Sequence, residues 1–295
     1  MDAAVGDGDH TARPAGVMPR LAIWLVTPGL LLLALLMGGP VLLLALESLK
    51  PYVPGSVRPG EGITFAHYRE LLQPAYLFYF WETFRIGLIV ASLSILFGAP
   101  LAFAAVRSPS ALVRKFLLAL LVGLLVMSLI ARLYAIEMAW GSNGPLAPLG
   151  ALLGIAPRHP RYAEVQVGIG LLHFTLPVVA LMLVGAFRAL SPRLEEAAAS
   201  LGATRSDAMI SVVLPLAAPG IVSAFLVALA MCISNFVAPL VLGRGVVVFT
   251  TSLMYTRFAD IGNYPSGAAI GITMLILAFL VVYGLSALAR RLIPR

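Results

Sequence analysis

Charge is scarce in this sequence. Of its 295 residues, 11% are Asp, Glu, Lys or Arg and 60% are hydrophobic, whereas a water-soluble domain carries about 25% charged residues. So few charges cannot coat a water-facing surface, which excludes an ordinary soluble globular protein. Cysteine is scarcer still: Cys232 stands alone, so no disulfide framework exists, and inside an apolar run it reads as a small buried hydrophobe. Also missing are HExxH, a Walker A glycine loop, CxxC and GxSxG. His10, His67, His159 and His173 have no metal-ligand spacing. With no nucleophile, metal site or nucleotide loop, an enzyme is poorly supported, and energy for any work must come from a gradient or a partner. No repeat of 20–50 residues is present, which removes solenoids.

What the sequence has is long apolar runs. Charge-free blocks cover Leu21–Leu46 (26 residues), Ile86–Val106 (21), Val165–Phe187 (23), Ala208–Gly243 (36) and Ile261–Ala289 (29). Each exceeds the roughly 18 residues of a transmembrane candidate. A sixth span, Phe116–Trp140, requires Arg132 and Glu137 inside it. The expectation is an all-α integral membrane protein with six transmembrane helices. The first block is too long for a signal-peptide core, about 7–15 residues, and no small-residue cleavage pattern follows, so it reads as a retained helix behind the tail 1–20. Thr27-Pro28-Gly29 and Gly38-Gly39-Pro40 predict a bend or break in it.

With the N-terminus inside, the inner segments hold 11 Lys/Arg in 55 residues and the outer ones 8 in 80. This density favours both termini in the cytoplasm, and the net charge of +7 reads as a topology signal, with no nucleic-acid partner. FAHYRELL (65–72) and the leucines Leu146, Leu149, Leu152 and Leu153 predict short helices at the outer membrane face.

Between the fourth and fifth spans lies a polar segment, EEAAASLGATRSDAMISVVLP, 195–215. Ser191-Pro192 is a helix start, with serine as N-cap and proline at the first helical position. Leu194, Ala197, Ala198 and Leu201 then share one narrow face. Gly202 ends the helix, because glycine takes the left-handed conformation cheaply. Thr204 and Asp207 have capping-box spacing for a second short helix, whose apolar face is Ala208, Met209, Val212 and Val213. Leu214-Pro215 leads into the fifth span. The physical pattern is an amphipathic helix–turn–helix at the cytoplasmic face, open to docking a partner or to packing on its own bundle.

The order Glu196-Ala197-Ala198, three residues, Gly202, nine residues, then Val212-Val213-Leu214-Pro215 resembles the EAA loop of permease subunits of binding-protein-dependent ABC importers with the MetI-like fold. Asp207 and Pro219-Gly220 also match, and Val212 replaces the usual isoleucine. The likeness runs from about Phe80 to Leu288 and is most similar to the spermidine/putrescine permease group. It is carried there by Ser128–Ala135, Gly141-Ser142-Asn143-Gly144, Asn235–Pro239 and Asn263–Ala269. Glu82-Thr83 departs from the group's Asn-Thr, and Leu242-Gly243-Arg244 lacks a common second glycine.

The resemblance implies a chain organised as a tail (1–20), a first helix (21–46), a periplasmic segment (47–79), a permease core (80–288) holding the coupling loop (191–214), and a basic tail (289–295). It implies a bacterial inner-membrane location, a second permease subunit, two cytoplasmic ABC ATPases carrying ATP and Mg, and a periplasmic substrate-binding protein, with no cofactor on this chain. Glu196, Ala197, Ala198, Gly202, Asp207, Leu214 and Pro215 become the ATPase-coupling residues, with Glu195 solvated. The substrate is expected to be a polyamine or similar small amine solute; permeases for opines, phosphonates or inorganic ions, or a stand-alone secondary transporter, are the alternatives.

Charges inside a span are costly, about 2.5–3.5 kcal/mol each on insertion scales. Arg132 and Glu137 are therefore candidates for the substrate pathway, or they snorkel to the interface. Their spacing of five suits no direct pair. Tyr134, Trp140, Ser234 and Asn235 are further pathway candidates, with interhelical hydrogen bonding or an interfacial aromatic belt as the alternative. His173 lines a pathway or is hydrogen-bonded within the bundle. A polycation needs carboxylates, and Glu137, Glu82 and Asp260 lie in the outer half. Arg132 opposes a cation unless a carboxylate neutralises it.

Overall fold

The structure is a computed structural model describing residues 18–56, 60–152, 155 and 159–292. The tail 1–17, Leu153 and Arg295 lie outside the described residues. Among the described residues the chain is helical, without strands. The helices are α1 (Met18–Glu47), α2 (Ala66–Leu71), α3 (Pro74–Arg107), α4 (Ala111–Val126), α5 (Leu129–Trp140), α6 (Ala147–Leu152) and α7 (Pro160–Arg188). Then follow α8 (Arg193–Ser200), α9 (Arg205–Ala208), α10 (Leu214–Ser234), α11 (Val237–Leu242), α12 (Thr250–Tyr255) and α13 (Tyr264–Leu292).

Among the described residues five helices are long and apolar enough to cross a membrane, and the pair α4–α5 makes a sixth span only as a broken one. That pair corrects the continuous third span expected over Phe116–Trp140. Met127 and Ser128 are extended, and α4 and α5 meet at 100°. At 16 residues, α4 reaches only about 24 Å, short of a bilayer core of about 30 Å. α1 is one unbroken helix despite Pro28 and Pro40, which corrects the expected break. From Val26 onward most of its side chains are exposed, Leu35 and Leu43 about 70%, and its main helical contact is α13. Such a surface suits lipid.

The centre of the bundle is α3 against α7, flanked by α10. Small residues set this approach, as expected where van der Waals contact rather than water exclusion holds helices together. A Cβ on Gly220 of α10 would stand 2.6 Å from the Cβ of Ala186, and one on Gly98 would meet Val179 at 3.0 Å. Buried hydroxyls add polar ties: Ser94 to Thr175 at 2.6 Å joins α3 to α7, and Thr83 Oγ1 accepts the Thr250 N–H at 2.9 Å. One apolar core fills the space between α3, α7, α10 and α13, and a second lies among α3, α5, α7 and α11. Cys232 is fully buried at the second core.

α2 and α6 form where short helices are expected. α2 is pinned through its first turn: His67 Nε2 bonds the Lys50 carbonyl at 3.1 Å, and the hydroxyls of Tyr68 and Ser48 lie 2.7 Å apart.

Candidate functional site

The 191–215 segment joins the end of α7 to the start of α10. Its first helix begins at Arg193 after Pro192, with no side-chain cap, so the expected Ser191 cap is not formed; the proline ring already fixes φ at the helix entry. The helix closes in a Schellman motif. Gly202 has φ +88°, its N–H donates to the Ala199 carbonyl at 3.0 Å, and the Ala203 N–H donates to that of Ala198 at 3.1 Å. Thr204 and Asp207 form the capping box: Asp207 Oδ2 accepts from the Thr204 N–H at 3.1 Å, and Thr204 Oγ1 accepts from the Asp207 N–H at 3.2 Å. The Thr204 hydroxyl also donates to Oδ2, and these bonds hold the Asp207 carboxyl below its ordinary pKa.

From Arg205 the chain stays helical into the span. α9 passes through one π turn, Met209–Val213, into α10 with Pro215 in its first turn. This corrects the separate second helix. Pro215 has no N–H to give the preceding turn, and the wider π winding takes up the mismatch. Ala208 and Val213 are buried, whereas α8 buries nothing. Glu196 and Ala197 are exposed, Ala198 and Leu214 half-buried, and Pro215 exposed. Leu194 is 40% and Leu201 91% exposed, so among the described residues most of the apolar face of α8 lies uncovered. Glu195 is not solvated as expected: its Oε1 pairs with Arg107 Nε at 2.9 Å.

The pathway candidates fall into separate places. Glu137 accepts from Arg244 Nη2 at 2.6 Å and from Gln166 Nε2 at 3.2 Å. Arg244, in the left-handed region at φ 51°, also donates to Ser142 Oγ at 2.7 Å. Trp140 joins the same network through its carbonyl, which accepts from Tyr162 at 2.5 Å and Gln166 at 3.1 Å. Ser234 and Asn235 wall a cleft of about 270 Å³ with Leu129, Phe174 and Val237. Ser234 also faces a groove of about 690 Å³ with Thr250 and Thr251. Asn235 is buried; its Oδ1 accepts the Ala238 N–H and starts α11. Tyr134 is 57% exposed and lines neither space.

Arg132 does not snorkel. It is 5% exposed, donates to the Met127 carbonyl at 2.7 Å across the α4–α5 break, and sits 6.0 Å from the Phe174 ring. Its Nε and Nη1 and the neighbouring His173 Nδ1 are buried without a hydrogen-bond partner among the described residues. No described carboxylate neutralises it. Three further carboxylates are taken by arginines: Glu82 and Glu164 by Arg85 at 2.8 and 2.7 Å, and Glu70 by Arg257 at 2.9 Å. Asp260 remains exposed. Sequence reasoning missed Arg107, Arg244 and Gln166, because each finds its partner across more than 25 residues, and it missed Arg85, which joins nearby Glu82 to Glu164 at 79 residues' separation. The one available signal was that arginines at the ends of apolar runs seek carboxylates.

A bundle of spanning helices around small-residue contacts, carrying one well-capped polar loop, defines the membrane subunit of a transport system. The chain belongs to the family of binding-protein-dependent transport system inner membrane components, which matches residues 94–295, and it is a permease subunit of an ABC importer. It is 30% identical over 223 residues to the spermidine/putrescine transport system permease protein PotB of Haemophilus influenzae, covering 75% of this chain and 78% of that one. The PotB of Escherichia coli is 27% identical over 221 residues, covering 74% and 80%. Among solved structures, a bacterial ABC transporter that imports the acidic polysaccharide alginate superposes with TM-score 0.70 at 17% identity, over 93% of this chain and 96% of that one. The MetNI methionine ABC transporter superposes with TM-score 0.58, over 76% and 100%. At such identities these two show the fold, which is MetI-like.

Proposed function

We propose that this permease carries a polyamine or similar small amine solute, and that an ATPase drives it through residues 191–214. The observation that carries the coupling half is α8: a short helix, stopped by Gly202, followed by the Thr204–Asp207 box, with Glu196 and Ala197 exposed and most of its apolar face uncovered. A stiff capped lever with small residues lets a partner approach closely, and an exposed carboxylate gives that partner a charge to hold. Glu196, Ala197, Ala198, Gly202, Asp207, Leu214 and Pro215 serve this contact. ATP and Mg belong to the ATPase, present in two copies. A second permease subunit completes the pathway, a periplasmic binding protein delivers the solute, and both termini are cytoplasmic.

The solute half is supported by the relatives named above as spermidine/putrescine permeases. Arg132, Tyr134, Glu137, Trp140, Ser234 and Asn235 are the pathway positions on this reading. A solute ammonium reaching Glu137 competes with Arg244 for it. The test is ATP-driven uptake by the whole importer in proteoliposomes, with spermidine competed against a panel of labelled amines, amino acids and inorganic anions. Competition by amines alone supports the assignment. Uptake of anions with no response to amines contradicts it.

A further inference from the structure

The adjacent glutamates of α8 point to different neighbours, because successive helical residues lie about 100° apart. Glu196 is exposed, whereas Glu195 is drawn onto Arg107 at 2.9 Å, the two side chains being 30% and 18% exposed. The same guanidinium donates through Nη2 to the Leu190 carbonyl at 2.7 Å. Arg107 is the last residue of α3, Leu190 follows α7, and Glu195 lies in the first turn of α8. One side chain therefore ties the ends of three helices.

Apart from that tie, α8 packs mainly on α9 and the Met209–Val213 turn. None of its residues is buried. Its backbone reaches α7 through Ala189–Pro192 and α9 through left-handed Gly202, and the space around Gly202 is open. Among the described residues, the Arg107–Glu195 pair is the only side-chain hydrogen bond or ion pair joining α8 to a spanning helix. In contrast, α3 and α7 are locked by the buried Ser94–Thr175 bond and by Gly98 against Val179. A push on α8 that is passed through Arg107 must move α3 and α7 together. The same push without Arg107 is absorbed in the two joints.

We propose that Arg107 and Glu195 are positioning residues: a clamp, completed by the Leu190 bond, that converts displacement of α8 into movement of the α3–α7 pair and leaves the Glu196 face to the ATPase. This rests on reading 191–214 as the coupling loop. Breaking the pair leaves a partly buried charge unpaired at the joint and lets α8 turn independently.

The experiment uses the assembled importer with its ATPase and needs no solute. Ser234→Cys, in a Cys232→Ser background, reports the cleft through its rate of modification by a thiol reagent, with and without ATP plus vanadate. In Glu195→Gln and in Arg107→Gln, the ATP-driven change in that rate falls about five- to tenfold, while ATP hydrolysis and ATPase co-purification persist. The double variant is no worse than either single one, as for two residues acting as a unit. A full ATP-driven change in Glu195→Gln, or additive losses in the double variant, overturns the clamp. Loss of the ATPase from Glu195→Gln also overturns it, by placing Glu195 on the docking face. Failure of the coupling loop itself is read separately, from an ATPase that stays bound to Gly202→Asp.

Discussion

Asp207 holds its loop turn with a carboxylate that must be ionised. Its pKa is lowered by the bonds from the Thr204 hydroxyl and N–H, so the folded loop is favoured above the ordinary carboxylate range, about 3.9. That contribution is lost as pH falls through the lowered value. Amide protection over 204–208 is therefore expected to drop in acid, and Asp207→Asn should show low protection at every pH; unchanged protection in Asp207→Asn would contradict the box. At the far end, Glu137 and Arg244 are bonded at 2.6 Å. Glu137→Gln and Arg244→Gln should each lower uptake more than basal ATP hydrolysis, with a double variant no worse than the stronger single one. Additive losses would separate the two residues. Capping residues were legible because their signals sit three residues apart; the Arg244–Glu137 pair spans 107 residues, and no local spacing announces it.

Among the elements, the glycines separate two physical roles. Gly202 is needed for its φ of +88°, and a Cβ there meets nothing. Gly202→Ala should cost about 1–2 kcal/mol of local stability through backbone strain alone, seen as faster amide exchange in α8 without loss of the protein from the membrane. Gly220 has ordinary backbone but a Cβ would stand 2.6 Å from that of Ala186. Gly220→Val should instead push α10 off α7 and cost about 1–3 kcal/mol, lowering the melting temperature of the detergent-solubilised chain. An unchanged melting temperature would mean that α7 and α10 can part freely. Apolar runs announced α1, α3, α7, α10 and α13, since hydropathy marks any helix long enough to cross. The α4–α5 break escaped that reading: Met127-Ser128 carries neither proline nor glycine, and hydropathy is blind to direction. Arg132 was in view as an unusual charge, yet its bond to the Met127 carbonyl makes sense only once the helix turns there.

At the scale of the molecule, the polar groups divide between two ends. At one, Arg107, Glu195, Gly202, Thr204 and Asp207 build a rigid loop with an uncovered face. At the other, Arg85, Arg244 and Arg257 hold the carboxylates. The α3–α7–α10 bundle runs between them, and α9 enters α10 without a break, so the second half of the loop is continuous with a spanning helix. That continuity is what an importer permease requires if ATP hydrolysed outside the membrane is to open a path within it. The central claim is that 191–214 seats the ATPase, and the direct measurement is the amount of ATPase that co-purifies with this chain from the assembled importer. Glu196→Arg and Gly202→Asp should each release the ATPase and abolish uptake, with the chain still in the membrane at its normal level. Normal co-purification and full uptake in both variants would contradict the account.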